Sequence, residues 1–112
     1  LISTLFDRGA DLEALFCGDD NLALGALFEC QRRGIAVPDQ MSIIGFNDLE
    51  FAACACPSLS SVATPRYEMG RLSAEIIKRI IETGERPANP RIDLGFSIQQ
   101  RQSTTRRPAP AN

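Results

Sequence analysis

Two short apolar runs, each ending beside a polar pair, constrain this chain most: LEALFCGDD at positions 12–20 and MSIIGFND at 41–48. Each has the length of a buried strand and is too short for a helix. Between them, Leu22, Leu24, Leu27, Phe28 and Cys30 fall at helical spacing. Arg32 and Arg33 suit the negative end of that helix, and Gly34 suits its left-handed exit. IAVPDQ then reads as a loop, with Pro38 stopping the helix. Strand, helix and strand within about thirty residues make a βαβ unit, with parallel strands and a right-handed crossover.

That topology has a chemical consequence. In an open parallel sheet, ligands bind outside the carboxyl ends of the strands. Asp19 follows the first strand and Asn47 the second, so both are expected on one edge. An ionised Asp only accepts hydrogen bonds, whereas Asn accepts and donates. Such a pair suits a ligand with several hydroxyls, as a sugar has, better than a phosphate, which a carboxylate repels. The competing reading makes Asp19 and Asn47 plain turn residues. Asp20 is expected to cap the helix that follows it, and Asp48 to be a cap or turn residue.

Further along, 49–56 (LEFAACAC) reads as a short helix or coil with an apolar face, and Ser60 to Ala63 as an extended segment. Thr64–Pro65 looks like the N-cap and first residue of a long helix. Met69, Leu72, Ile76, Ile77, Ile80 and Ile81 share one of its faces, and Gly84 ends it. The alternation in RIDLGFSI, 91–98, predicts a strand with one solvated side. The start, 1–8, reads as the end of a helix within a longer protein, without a signal peptide. RRPAPAN at the end reads as a loose tail.

Composition narrows the function. A net charge of −2 over 112 residues argues against this segment binding nucleic acid by itself, because such domains carry a positive bias. No stretch approaches the ~20 apolar residues of a membrane span. The chain has no histidine, so no Ser–His–Asp or Cys–His device is available, and no enzymatic activity, metal or cofactor is expected. Cys17, Cys30, Cys54 and Cys56 lack the spacing of a zinc site or a secreted disulfide framework; they are expected as reduced, mostly buried cytoplasmic thiols. Asp19, Asp20 and Asp48 could together hold Mg²⁺ as in a receiver-like signalling domain. Against that reading, no strand carries a convincing phospho-accepting Asp, and Lys78 is the only lysine.

Five segments, in order, resemble one family. LFCGDDNLALGAL, GIAVPDQMSIIGFND, PSLSSV, EMGRLSAEII and RQST are similar to the C-terminal part of the effector-binding domain of LacI/GalR-type transcriptional regulators. The resemblance implies an α/β fold: an incomplete, parallel-sheet, Rossmann-like subdomain of the type I periplasmic-binding-protein-like class. It implies that 1–63 belong to the C-terminal subdomain and 64–90 are crossover and helix of a missing N-terminal subdomain. Residues 91–104 would be the last strand of the C-terminal subdomain, and 105–112 a disordered tail. It implies effector contacts from Asp19, Asn47 and Phe46, with Asp20 and Asp48 as caps or supports behind them. It implies a homodimer interface through Leu22, Leu49, Phe51, Cys54, Ala55 and Cys56, the alternative being that this run is core. Operator DNA would be read only by a separate helix-turn-helix. The sequence departs from the family pattern at Gln40, Gln99 and Gln100, and at Asp19, where Asn is usual. A periplasmic sugar-binding protein is the alternative with the same fold.

Overall fold

The structure, a computed structural model, describes residues 2–9 and 11–105. Along the chain it holds α1 (Ile2–Asp7), β1 (Ala14–Phe16), α2 (Asp20–Arg33), β2 (Ser42–Phe46), α3 (Glu50–Cys54), β3 (Ser60–Ala63), α4 (Arg66–Thr83) and β4 (Ser97–Gln99). The strands form one sheet in the order β1-β2-β3-β4. The first three are parallel, with Phe16 opposite Ile44 and Phe46 opposite Val62; β4 runs antiparallel to β3. The expected βαβ unit is therefore present, and the fold is the mixed α/β arrangement with a mostly parallel sheet.

The core follows from alternation. Ile43 and Gly45 of β2 are buried, and Ala23, Ala26, Leu27 and Cys30 of α2 pack over them. Met41, Ala52 and Leu59 complete the cluster. Gly34, at φ 70°, ends α2 in the left-handed conformation, and its amide donates to the carbonyls of Cys30 and Gln31. The RQST segment follows β4 and is bonded to both β2 and β3. Ser103 is fully buried: its hydroxyl donates to the Ile43 carbonyl at 2.5 Å and accepts from the Ser60 amide at 2.8 Å. One serine thus stitches β2 to β3.

Several expectations are corrected. The cap of α2 is Asp19, not Asp20: Asp19 has extended backbone and its Oδ1 accepts from the Leu22 amide at 2.8 Å, while Asp20 is the first helical residue. Thr64 does not cap α4; Pro65 takes that position without a side-chain cap, and the helix begins at Arg66. Only Ser97–Gln99 of the segment expected as a strand pairs. Before it, Asp93 Oδ1 accepts from the Gly95 amide at 2.7 Å and Gly95 turns to φ 72°, while Ile92, Leu94 and Phe96 stay exposed with no strand alongside. Of the cysteines, Cys30 is buried, Cys17 half-buried, and Cys54 and Cys56 are exposed. The tail expected over 105–112 lies, beyond Thr105, outside the described residues, as does the first residue of the expected N-terminal helix end. Among the described residues, no helix is long and apolar enough to cross a membrane.

Candidate functional site

Parallel pairing of adjacent β1 and β2 brings their carboxyl ends to one edge of the sheet. Asp19 and Asn47 both leave from that edge. Asp19 is half-buried, and its capping bond uses Oδ1; Oδ2 accepts none among the described residues. Asn47 is held by its backbone: its amide donates to the Val62 carbonyl at 2.8 Å. Its φ of 93°, followed by 51° at Asp48, is left-handed backbone on two successive non-glycine residues, a conformation that Asn and Asp tolerate best. The Thr64 hydroxyl donates to Asn47 Oδ1 at 3.3 Å. Asn47 Nδ2 donates to no partner among the described residues.

Two adjoining clefts open on this edge, with Thr64 bordering both. One, of about 450 Å³, is mainly apolar: Phe16, Phe46, Val62, Met69 and Phe96 line it. The other, of about 320 Å³, is bounded by Asn47, Asp48, Arg66 and Tyr67. Aromatic faces beside amide and carboxylate groups match the two sides of a saccharide, whose ring presents C–H faces and a hydroxyl rim. Phe46, named from the sequence, lies in the first cleft.

Asp20 lies inside the fold, whereas Asp48 borders the second cleft. Asp20 is fully buried; Ser61 Oγ donates to its Oδ1 and the Leu49 amide to its Oδ2, both at 2.6 Å. Asp48 Oδ1 accepts from Arg101 Nη1 at 2.7 Å, and the same nitrogen donates to the Leu59 carbonyl at 2.7 Å. Asp19, Asp20 and Asp48 thus bond to separate partners, and among the described residues no group of three or more acidic, histidine or cysteine side chains is placed to hold a metal ion. Burial, and secondarily the charge of Asp19, pushes the Cys17 thiol up. Sequence reading missed Ser61, Arg101 and the support that Thr64 gives Asn47. The signal for Ser61 was present: two serines stand in a strand otherwise apolar.

The 49–56 run divides. Ala52 is in the core; Leu49, Phe51 and Ala55 are half-buried, and Cys54 and Cys56 are exposed. Leu22 on α2 is 56% exposed. Of the residues expected at an interface, Leu22, Cys54 and Cys56 are thus exposed and Leu49, Phe51 and Ala55 half-buried, while Ala52 of the same run belongs to the core.

Residues 4–104 match the profile of the periplasmic binding protein-like domain family. The HTH-type transcriptional regulator IdnR of Escherichia coli K12 is 43% identical over 98 residues, which are 88% of this chain and 29% of that protein. The crystal structure of transcription regulator GntR from Chromobacterium violaceum superimposes with a TM-score of 0.79 at 45% identity, over 92% of this chain and 38% of that one. The transcriptional regulator CelR in complex with cellobiose gives a TM-score of 0.82 at 32% identity, over 91% of this chain and 31% of that one. The chain spans less than a third of the length of the curated relative.

Proposed function

The chain belongs to the periplasmic binding protein-like family of LacI/GalR-type transcriptional regulators, and from that premise we propose that it is the effector-sensing half of such a regulator. A small sugar or sugar acid binds at the edge carrying Asp19, Phe46 and Asn47. The other wall of the cleft comes from an N-terminal subdomain, against which α4 packs. The observation that carries this reading is the placement of Asp19 and Asn47 at the ends of adjacent parallel strands, on the edge where Asn47 borders one cleft and Phe16 and Phe46 line the adjoining one, Asp19 lining neither. The cellobiose complex of the related regulator supports a saccharide as the ligand class.

Ligand acts here by selection. It shifts the balance between open and closed lobes by its difference in affinity for the two, and by no more than that difference. In a homodimer joined through Leu22, Leu49, Phe51, Cys54, Ala55 and Cys56, closure changes the spacing of two helix-turn-helix heads and releases operator DNA. The regulator is cytoplasmic, in keeping with exposed free thiols at Cys54 and Cys56, and it has no catalytic role.

The test is operator release by the full-length protein, titrated with sugars and sugar acids, cellobiose among them. Asp19→Ala and Asn47→Ala should still repress but respond only to about tenfold or more additional ligand, the loss expected for a hydrogen bond to a charged or desolvated group. Loss of repression itself in Asp19→Ala, with induction intact, would contradict the assignment.

A further inference from the structure

Asp20 is a buried carboxylate without a cation. It is 0% exposed, and among the described residues its oxygens are met only by the Ser61 hydroxyl and the Leu49 amide. Burying a carboxyl group is costly unless hydrogen bonds compensate it, and two donors at 2.6 Å do so here. The backbone is shaped to admit it. A Cβ on Gly45 would run into the Asp20 carboxyl group and come within 3.1 Å of its Cα. Glycine at position 45 is therefore the space in which the carboxylate lies.

What Asp20 holds is the turn after β2. Three successive amides are tied down there: Asn47 to the Val62 carbonyl, Asp48 to Ser61 Oγ at 3.0 Å, and Leu49 to Asp20 Oδ2. Ser61 donates to Asp20 and accepts from Asp48, so the last two bonds form one relay. Within that grip lie the two left-handed residues, Asn47 and Asp48. Such conformations cost free energy and persist where surrounding contacts over-determine them. Arg101 restrains Asp48 from the other side.

We propose that Asp20, working through Ser61, is the positioning residue that sets the Asn47–Asp48 turn and thereby the spacing of the two rim side chains. Asp19 and Asp20 are consecutive, so one dipeptide carries a rim group outward and the clamp inward. Any movement of the 47–49 turn relative to α2 must break the clamp. Its consequence for ligand choice rests on the reading of Asp19 and Asn47 as effector contacts; the clamp itself does not.

The experiment separates the two. Amide hydrogen exchange is followed at residues 44–49 in the full-length protein for wild type, Asp20→Asn and Ser61→Ala. Asp20→Asn should speed exchange at Leu49, and Ser61→Ala at Asp48, by about tenfold or more, the scale of a hydrogen bond involving a charged partner. The Asn47 amide, bonded to backbone, should keep its wild-type rate. Unchanged rates at 48 and 49 would overturn the proposal, and so would equal acceleration of every sheet amide, which marks general loss of stability. Should Asp20→Asn fail to fold, Ser61→Ala decides alone by the same two criteria. In parallel, cellobiose binding is measured by calorimetry: where wild type binds, both variants should bind about tenfold more weakly, and unaltered affinity would overturn the positioning role. Absence of binding to wild type counts against cellobiose as the ligand and leaves the exchange result to judge the clamp.

Discussion

Helices α2 and α4 both carry an apolar face at helical spacing, yet they end in opposite situations. Helix α2 has five fully buried residues and lies on β2; α4 has none. Every fully buried residue described falls between Asp20 and Ser61, apart from Ser103. The region from 64 to 96 contributes none. Periodicity reports which face of a helix is apolar and says nothing of what covers it. Proposing an N-terminal subdomain over α4 accounts for the difference, because Ile77 and Ile81 are 56% and 78% exposed here.

Substitutions in the two helices give the largest contrast. Leu27→Ala should cost about 2–5 kcal/mol, the range for truncating an enclosed side chain. Ile77→Ala in the 112-residue chain should stay within about 0.5 kcal/mol, as at a surface position. In the full-length protein its cost should rise toward about 2 kcal/mol if α4 is covered there. Urea unfolding measures all three, and equal costs for Leu27 and Ile77 in the short chain would erase the distinction.

Glycines sharpen the same contrast with opposite signs. Gly45→Ala forces a methyl group against Asp20 and should destabilise by about 1–3 kcal/mol through overpacking. Gly70, inside α4, has nothing within 4 Å of a Cβ. Gly70→Ala should stabilise by about 0.5–1 kcal/mol through helix propensity alone. Thermal unfolding reads both; a stabilising Gly45→Ala would mean that the carboxylate is free to move. Smaller still is the cap of α2. Asp19→Ala should cost about 1 kcal/mol and Asp19→Asn much less, since Asn also caps well.

The division between the helices also explains how much the sequence disclosed. The βαβ unit, the glycine exits at 34 and 84 and the strand at 60–63 were legible because local periodicity and capping chemistry determine them. The roles of Asp19 and Asp20 were not, since the two are adjacent and either can cap. Which one turns inward is decided by Gly45 and Ser61, brought alongside only by the sheet. Thr64 was likewise misread as a cap because its partner, Asn47, is distant in the chain. RIDLGFSI alternates like a strand, but a strand needs a neighbour, and only Ser97–Gln99 has one. The Asp19–Asn47 edge was legible because parallel topology alone places it.

Between the two regimes stands α1, which has no fully buried residue; Ile2 and Phe6 pack half-buried against the core, and a charge cluster ties the helix to α2. Arg33 donates to Glu29 at 2.5 Å and to Asp7 at 2.6 Å, and lies 5.3 Å from the centre of the Phe6 ring. Arg32 grips both oxygens of Glu29, at 2.6 and 2.8 Å. Hydrogen bonds from Arg32 and then Arg33 hold the Glu29 carboxyl down at about 2, against an ordinary 4.5. A carboxyl lowered on folding stabilises the folded state fully above its unfolded value and loses that contribution as pH falls toward its folded value. The difference in stability between wild type and Glu29→Gln should therefore be constant above about pH 5 and shrink progressively from there to pH 2. Because the cluster is near the surface, the effect should be small and should weaken further in high salt. Urea midpoints across that pH range, at two salt concentrations, measure it. A difference that persists unchanged at pH 2 would mean that Glu29 contributes by packing and not by charge.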